Sequence, residues 1–250
     1  MSNDFRCQFM EINGTIFAEV NTMQQKNPNF TDSFELSKMF HEIKNPLALI
    51  SSSLQFIEGE HPEVKDFRFW NQTMKDVKNL RILIDDLSTF QKSSFLNLNK
   101  INLFDFTEDL LESTESYLLE NGTPLTLECT NYDLDFYGDD LKLRQAVINL
   151  LKNAAESSQA GSPIELKITN DERFLYLKIK DYGCGMDSEQ ISHIFEPFHT
   201  TKSYGTGLGL PIVKKIIESH NGVISINSEK GTGTTFQIRL SLASTQQTVS

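Results

Sequence analysis

Two stretches near the start of the sequence carry apolar residues at helical spacing. From residue 32 to about residue 60 these residues recur every three or four positions, and Asp32 or Ser33 can cap the start. Pro46 lies inside the first stretch and predicts a kink, because proline removes a backbone donor. The second stretch, 67–90, has a seam spaced close to 3.5 residues. A single hairpin of two such helices cannot bury both seams, so the pattern predicts a homodimeric four-helix bundle.

Beyond residue 100 the helical and alternating patterns mix, after a polar stretch at 93–100 that predicts a linker. Helical spacing occurs at 107–120, 139–158 and 210–220. Strand-like patterns occur at 101–103, 125–129, 164–169, 174–179, 223–227 and 235–242. Alternation of this kind predicts an α+β sandwich, with a mixed sheet on one side and helices on the other.

The two ends of the chain are less regular. Residues 1–30 have no clear period, and they predict either a strand or two or a poorly ordered lead-in. The polar tail 244–250 is expected to fray. We therefore predict a short segment at 1–30 with no assigned role, a helical domain at 31–95, an α+β domain at 99–243 and a tail at 244–250.

Charge and cysteine content narrow the classes of function. The formal net charge of the 250 residues is −11, so the chain lacks the basic field needed to bind a nucleic acid backbone. Three widely spaced cysteines suggest neither a zinc site nor a disulfide framework. No apolar run approaches the ~18 residues of a membrane span. We expect a cytoplasmic protein with no direct membrane span and no nucleic acid partner.

Four short motifs could carry chemistry, and each also has an ordinary structural explanation. The sequence YGTGLGL at 204–210 precedes a helix, where glycine amides can bind phosphate; a flexible surface loop fits equally well. The sequence DYGCGM begins at Asp181, whose carboxylate could accept an exocyclic amine; a simple turn is the alternative. Asn149 and Asn153 share one helix face and suit Mg²⁺, or else form solvated surface.

The fourth motif is HEIKNPL, which begins at His41 on the first predicted helix. His41 and Asn45 share one helix face, and Glu42 could hold or remove a proton of the imidazole ring. A single histidine on a helix is more often plain surface.

Taken together, the motifs resemble those of the bacterial sensor histidine kinases. HEIKNPL, NLLKNA, DYGCGM, FEPF–HTTK, GTGLGL and GTGTTF follow in the family's order over about residues 32–242. The lid sequence is similar to that of nitrogen-regulatory and sporulation kinases. The resemblance implies that 31–95 is a dimerisation and phosphotransfer domain. It also implies that 99–243 is a catalytic ATP-binding domain with the histidine kinase and gyrase ATPase (Bergerat) fold.

The resemblance also implies roles for individual residues on the first helix. His41 matches the phosphoacceptor, whose ring nitrogen attacks the γ-phosphate of ATP. Glu42 matches the neighbour that acts as general base or orients the ring. Asn45 matches a position that places a water for dephosphorylation of the partner. The implied partners are a second copy of the chain and the receiver domain of a response regulator. A separate sensor protein is a further possibility if the chain is not itself a fragment.

In the ATP-binding domain, the resemblance implies that Asn153 is the Mg²⁺ ligand, with Asn149 one turn earlier. Asp181 matches the carboxylate that recognises the adenine amino group. The other positions implied in nucleotide binding are Lys152, Gly183, Gly185, Phe195, Phe198, Lys202, Gly205, Gly207, Gly209 and Thr234. Of these, the last three glycines match the hinge of an ATP lid. Tyr182 departs from the family pattern, which commonly has Asn there.

Four other functions remain open from the sequence. A gyrase-like ATPase or an anti-sigma-type serine kinase would tend to carry Glu at position 149, where this chain has Asn. A catalytically weak module of the same fold could bind ATP and dock a partner. A chain dominated by phosphatase activity through Asn45 would retain every motif.

Overall fold

The computed structural model describes residues 8–12, 15–19, 30–202 and 205–242, with side chains from residue 36 onward. These residues form two compact units. One contains the N-terminal strand pair, Ser93–Glu196 and the chain from Leu210 onward; the other contains the helical hairpin and Pro197–Gly209. Within the described part of the chain, no helix is both long and apolar enough to cross a membrane.

The elements follow one another in the order expected of an α+β chain. The helices are α1 Phe30–Glu60, α2 Trp70–Lys92, α3 Leu103–Glu120, α4 Asp140–Ser157, α5 Ser188–His193 and α6 Gly209–Ser219. The strands are β1 Gln8–Ile12, β2 Thr15–Glu19, β3 Asn99–Asn102, β4 Leu125–Cys129, β5 Asp135–Gly138, β6 Ile164–Asn170, β7 Phe174–Lys180, β8 Val223–Glu229 and β9 Gly233–Ser241.

The hairpin of α1 and α2 forms around a small apolar core. Phe40 and Leu47 of α1 are buried with Ile84 of α2. Lys44 pairs with Asp85 across the two helices at 2.9 Å. The helical assignment of α1 continues through Pro46. The predicted hairpin is therefore confirmed, although its second helix begins at Trp70, after a short 3₁₀ turn.

The larger sheet has five strands in the order β4-β6-β7-β9-β8. The β4–β6 pair is parallel and the other three pairs are antiparallel, which confirms the prediction of a mixed sheet. Burial alternates along β6 and β7, so one face of each strand is buried. Leu150 and Leu151 of α4 and Ile212 and Ile216 of α6 are fully or almost fully buried.

A second, two-stranded sheet pairs β3 with β5, and the sequence analysis was wrong about this region. The predicted linker ran to residue 100, the strand was placed at 101–103, and β5 was missed. Helix α3 begins at Leu103 rather than 107, because the Asn102 side chain accepts hydrogen bonds from the amides of Phe104 and Asp105.

The N-terminal segment contains one antiparallel strand pair, β1 with β2. This agrees with the expectation of a strand or two within residues 1–30. The remainder of that segment, at 1–7, 13–14 and 20–29, lies outside the described residues. So does the predicted tail at 244–250.

Candidate functional site

The carboxylate of Asp181 lies at the end of β7 and is almost completely buried. Its Oδ1 atom accepts hydrogen bonds from the backbone N–H groups of Gly183 at 2.9 Å and Thr234 at 3.1 Å. Burial raises the pKa of this carboxyl, and the two hydrogen bonds offset part of the effect. Because both bonds go to one oxygen, Oδ2 is the oxygen that can accept from a ligand.

The turn after Asp181 is packed against backbone on two sides, which explains its glycines. A Cβ atom on Gly183 would lie 2.4 Å from the carbonyl oxygen of Ser157, and one on Gly185 would lie 1.9 Å from that of Glu229. Gly185 also has a φ of 60°, in the left-handed region. The Cys184 amide donates to the Ser157 carbonyl at 3.1 Å. The turn is therefore held between the end of α4 and the β8–β9 connection.

Thr234 lies at the start of β9 and is buried next to Asp181. Its hydroxyl is 2.9 Å from the hydroxyl of Ser228, which in turn accepts a hydrogen bond from the Met186 amide at 2.9 Å. The structure therefore brings together Asp181, Gly183, Gly185 and Thr234. The sequence analysis missed Ser157 and Ser228, whose contacts carry no local signal because they are distant in sequence.

Asn149 and Asn153 lie on α4, and both are half-buried. Asp139 caps this helix by accepting from the Lys142 amide. An amide oxygen at Asn153 suits Mg²⁺, a cation that takes oxygen ligands. Across the described residues, no three His, Cys, Asp and Glu side chains cluster in a way that could hold a metal. Mg²⁺ in proteins usually keeps several waters and phosphate oxygens as ligands.

Lys152 and Phe195 both make cation–π contacts. The Lys152 ammonium lies 5.3 Å from the ring centroid of Tyr117 on α3. Phe195 is half-buried, and its ring centroid is 5.6 Å from the ammonium of Lys214 on α6. The contact with Tyr117 directs Lys152 toward α3, so a role in binding phosphate stays a prediction.

The segment 197–209 holds the other predicted glycines. Phe198 is exposed with a φ of 68°, and its amide donates to the Gly207 carbonyl at 3.0 Å. The Gly205 amide donates to the carbonyl of the exposed Lys202 at 3.2 Å. Gly209 is the first residue of α6, and a Cβ atom there would meet nothing within 4 Å. These contacts close the segment into a loop directly before a helix.

His41, Glu42 and Asn45 are all exposed on α1. Glu42 lies 3.8 Å from Lys38 one turn earlier. Asn45 is four residues from His41 and shares its face of the helix. The imidazole ring of His41 is therefore accessible to a reacting partner.

Comparisons with known proteins agree with this geometry. Residues 138–244 match the family of histidine kinase-, DNA gyrase B- and HSP90-like ATPases. Sporulation kinase A of Bacillus subtilis is 34% identical over 209 residues, which are 79% of this chain and 32% of the kinase. Sporulation kinase C of the same organism is 30% identical over 209 residues, 82% of this chain and 47% of that kinase. Residues 138–244 therefore form a domain of this ATPase family, and the chain as a whole is similar to sporulation kinases and to sensor histidine kinases.

A solved structure of a full-length protein has the same fold. The crystal structure of ShkA in complex with AMPPNP has a TM-score of 0.69 at 20% identity, and the match covers 83% of this chain and 45% of ShkA. At this identity the likeness concerns the fold alone. The chain spans about half, or less, of the length of the curated relatives that it matches.

Proposed function

We propose that the chain is an ATP-dependent protein histidine kinase of a two-component system. The observation that carries the proposal is an exposed His41, adjacent to Glu42, in a chain whose residues 138–244 match an ATPase family. An enzyme that only hydrolyses ATP needs no exposed histidine outside its ATPase domain. A histidine kinase needs both parts.

Nucleotide recognition is assigned to the Asp181 turn. The Oδ2 atom of Asp181 would accept a hydrogen bond from the adenine amino group, while Oδ1 stays bound to the backbone. Thr234 and the glycines at 183 and 185 would line the pocket without side-chain bulk. Asn153, with Asn149 one turn earlier, would hold Mg²⁺, which neutralises phosphate charge when bound.

The transfer step is a displacement at phosphorus. A ring nitrogen of His41 attacks the γ-phosphorus, the bond from that phosphorus to the β–γ bridging oxygen breaks, and ADP leaves with the bonding electrons. Glu42 holds or removes the proton on the other ring nitrogen, so that the attacking nitrogen carries a free electron pair. Phosphoryl transfer of this kind depends mainly on positioning and charge neutralisation.

The acceptor of the phosphoryl group is proposed to be an aspartate in a response regulator. One exposed face of α1 carries side chains spaced three or four residues apart. They are His41, Asn45, Leu49, Ser52 and Phe56. Leu49 and Phe56 are 70% and 69% exposed, so this face of the helix carries apolar surface. An apolar surface beside the phosphoacceptor suits the docking of a receiver domain.

The kinase is proposed to act as a homodimer. An apolar residue that is 38% to 50% exposed occurs every seven positions along α1. These residues are Leu36, Ile43, Ile50 and Ile57. This stripe is distinct from Phe40 and Leu47, which face the hairpin core. A continuous heptad stripe of exposed leucine and isoleucine is typical of a helix that packs against a second copy.

A single-turnover experiment separates the kinase from an ATP hydrolase of the same fold. The protein is mixed with γ-labelled ATP and Mg²⁺, and label on the protein is separated from released phosphate. If the chain is a kinase, we expect the label to be bound to the protein and little labelled phosphate to be released, because Asn149 cannot act as a base for water. Continuous release without protein labelling would favour hydrolysis instead.

A further inference from the structure

A hydrogen bond connects the glycine segment, defined here as Gly205–Gly209, to the hairpin. The Thr206 hydroxyl donates to the Oδ2 atom of Asp86 on α2 at 2.5 Å, across 120 residues of sequence. Both side chains are half-buried. A hydrogen bond to a carboxylate is among the stronger polar contacts in proteins, because the acceptor carries a full charge.

The same Thr206 hydroxyl also fixes the segment internally. It accepts a hydrogen bond from the Leu208 amide at 3.3 Å. One residue further on, Gly207 accepts from the Phe198 amide at 3.0 Å and closes the loop. Asp86 therefore contacts the loop next to the hydrogen bond that closes it.

The electrostatics of this contact bear on phosphate binding. Leu208 and Gly209 stand at the beginning of α6, and the amides at a helix N-terminus favour a negative charge. The Thr206 hydroxyl bridges the Asp86 carboxylate and the Leu208 amide, so this negative charge lies near the beginning of the helix. A nucleotide phosphate on the same segment would meet this negative charge and would compete for the Leu208 amide.

We propose that Asp86 is a regulatory residue that restrains the glycine segment on α2 and competes with nucleotide phosphate for it. The inference rests on the proposed function, together with the expectation from sequence that Gly205, Gly207 and Gly209 belong to the ATP lid. It also implies a route for regulation: a rotation of α2 that withdraws Asp86 would release the segment and favour nucleotide binding.

The chain offers a matched pair of variants in adjacent residues. Asp86→Ala removes the contact, whereas Asp85→Ala removes an equal charge that pairs with Lys44 instead. Hydrogen exchange of the Phe198 and Leu208 amides and the affinity for ADP are measured for both variants. In Asp86→Ala we expect exchange to accelerate about tenfold and ADP affinity to rise at least threefold, with neither change in Asp85→Ala. Asp86→Asn keeps an acceptor oxygen without the charge, so it should tighten ADP binding with little change in exchange.

The outcomes separate this inference from the proposed function. Equal exchange rates in Asp86→Ala and Asp85→Ala would overturn the restraint. Faster exchange with unchanged or weaker ADP affinity would overturn the competition with phosphate. If neither the wild-type protein nor any variant bound ADP, the proposed function itself would fail and the inference with it. Thermal melts of the three variants check that the hairpin is folded.

Discussion

Asp181 and Thr234 bind each other reciprocally, although 53 residues separate them. The Asp181 amide donates to the Thr234 carbonyl at 2.9 Å, and the Thr234 amide donates to the Asp181 carboxylate at 3.1 Å. The carboxylate assigned to adenine is therefore fixed by the first residues of β9 as well as by its own turn. Packing of the five-stranded sheet and the proposed recognition of the nucleotide therefore involve the same pair.

Asp181→Asn should weaken nucleotide binding and stabilise the fold. The amide oxygen of Asn can accept both backbone hydrogen bonds, but it presents no charged acceptor to adenine, so ADP affinity should fall about tenfold or more. Burial raises the pKa of Asp181 above its ordinary value of 3.8, so the ionised carboxylate lowers the stability of the fold at neutral pH. Titration calorimetry and thermal melts at pH 7 measure the two effects. If Asp181→Asn had a lower melting temperature than the wild-type protein, the claim that the ionised carboxylate destabilises the fold would be refuted.

Asn153→Ala should remove the part of nucleotide affinity that depends on magnesium. The wild-type protein is expected to bind ATP more tightly with Mg²⁺ than with a chelator, whereas the variant should bind almost equally in both. Asp181→Asn is the control, because it should weaken binding in both conditions alike. An Asn153→Ala protein that kept the full magnesium effect would place the cation elsewhere.

Some parts of this site could be predicted from the sequence and others could not. Helix α4 was predicted almost to its ends, because its apolar period is clear and Asp139 is a strong cap. The DYGCGM turn was found from its residues alone. Its contacts with Ser157, Ser228 and Thr234 could not be found, because nothing in a local pattern encodes pairing over tens of residues.

Two errors in the fold have a common origin. Strand β5 spans only Asp135–Gly138, too short for a reliable alternating pattern, and its partner β3 lies in the polar stretch taken for a linker. Without β5, the apolar residues at 101–103 suggested an isolated strand, and the cap at Asn102 was not recognised. Tertiary pairing decided the structure here, and local propensity did not.

Stability of the unit that contains the five-stranded sheet should decrease as the pH falls below 6.5, because of His220. Its Nε2 atom accepts the Asp139 amide at 2.9 Å, so the ring is neutral in the fold, and burial lowers its pKa below the ordinary 6.5. The unfolded chain takes up this proton near pH 6.5 while the folded chain does so only at lower pH. The contribution is therefore complete above pH 6.5 and is lost on acidification.

Denaturant unfolding of wild-type protein and His220→Gln between pH 5 and pH 7.5 measures this contribution. The side-chain amide oxygen of Gln can replace Nε2 of His220 as the acceptor of the Asp139 amide, but Gln does not titrate. We expect the wild-type free energy of unfolding to fall more steeply with acidification than that of the variant, by at most about 1.4 kcal/mol per pH unit. Parallel curves for the two proteins would rule out His220 as the titrating group.

Ile50→Glu should dissociate the proposed homodimer, and Leu49→Glu should not. Ile50 lies on the exposed heptad stripe of α1, whereas its neighbour Leu49 faces the side that carries His41. A buried glutamate at the dimer interface should raise the dimer dissociation constant about tenfold or more. Sedimentation of both variants measures the effect. Equal dissociation of the two would argue against the stripe as the interface.

The central claim is that His41 accepts the γ-phosphoryl group of ATP. The most direct measurement is incubation with γ-labelled ATP and Mg²⁺, comparing the wild-type protein with His41→Gln. We predict an acid-labile, base-stable label on the wild-type protein and none on the variant, with ADP affinity equal in both. Label that persisted in His41→Gln, or wild-type protein that bound ATP and was never labelled, would contradict the account.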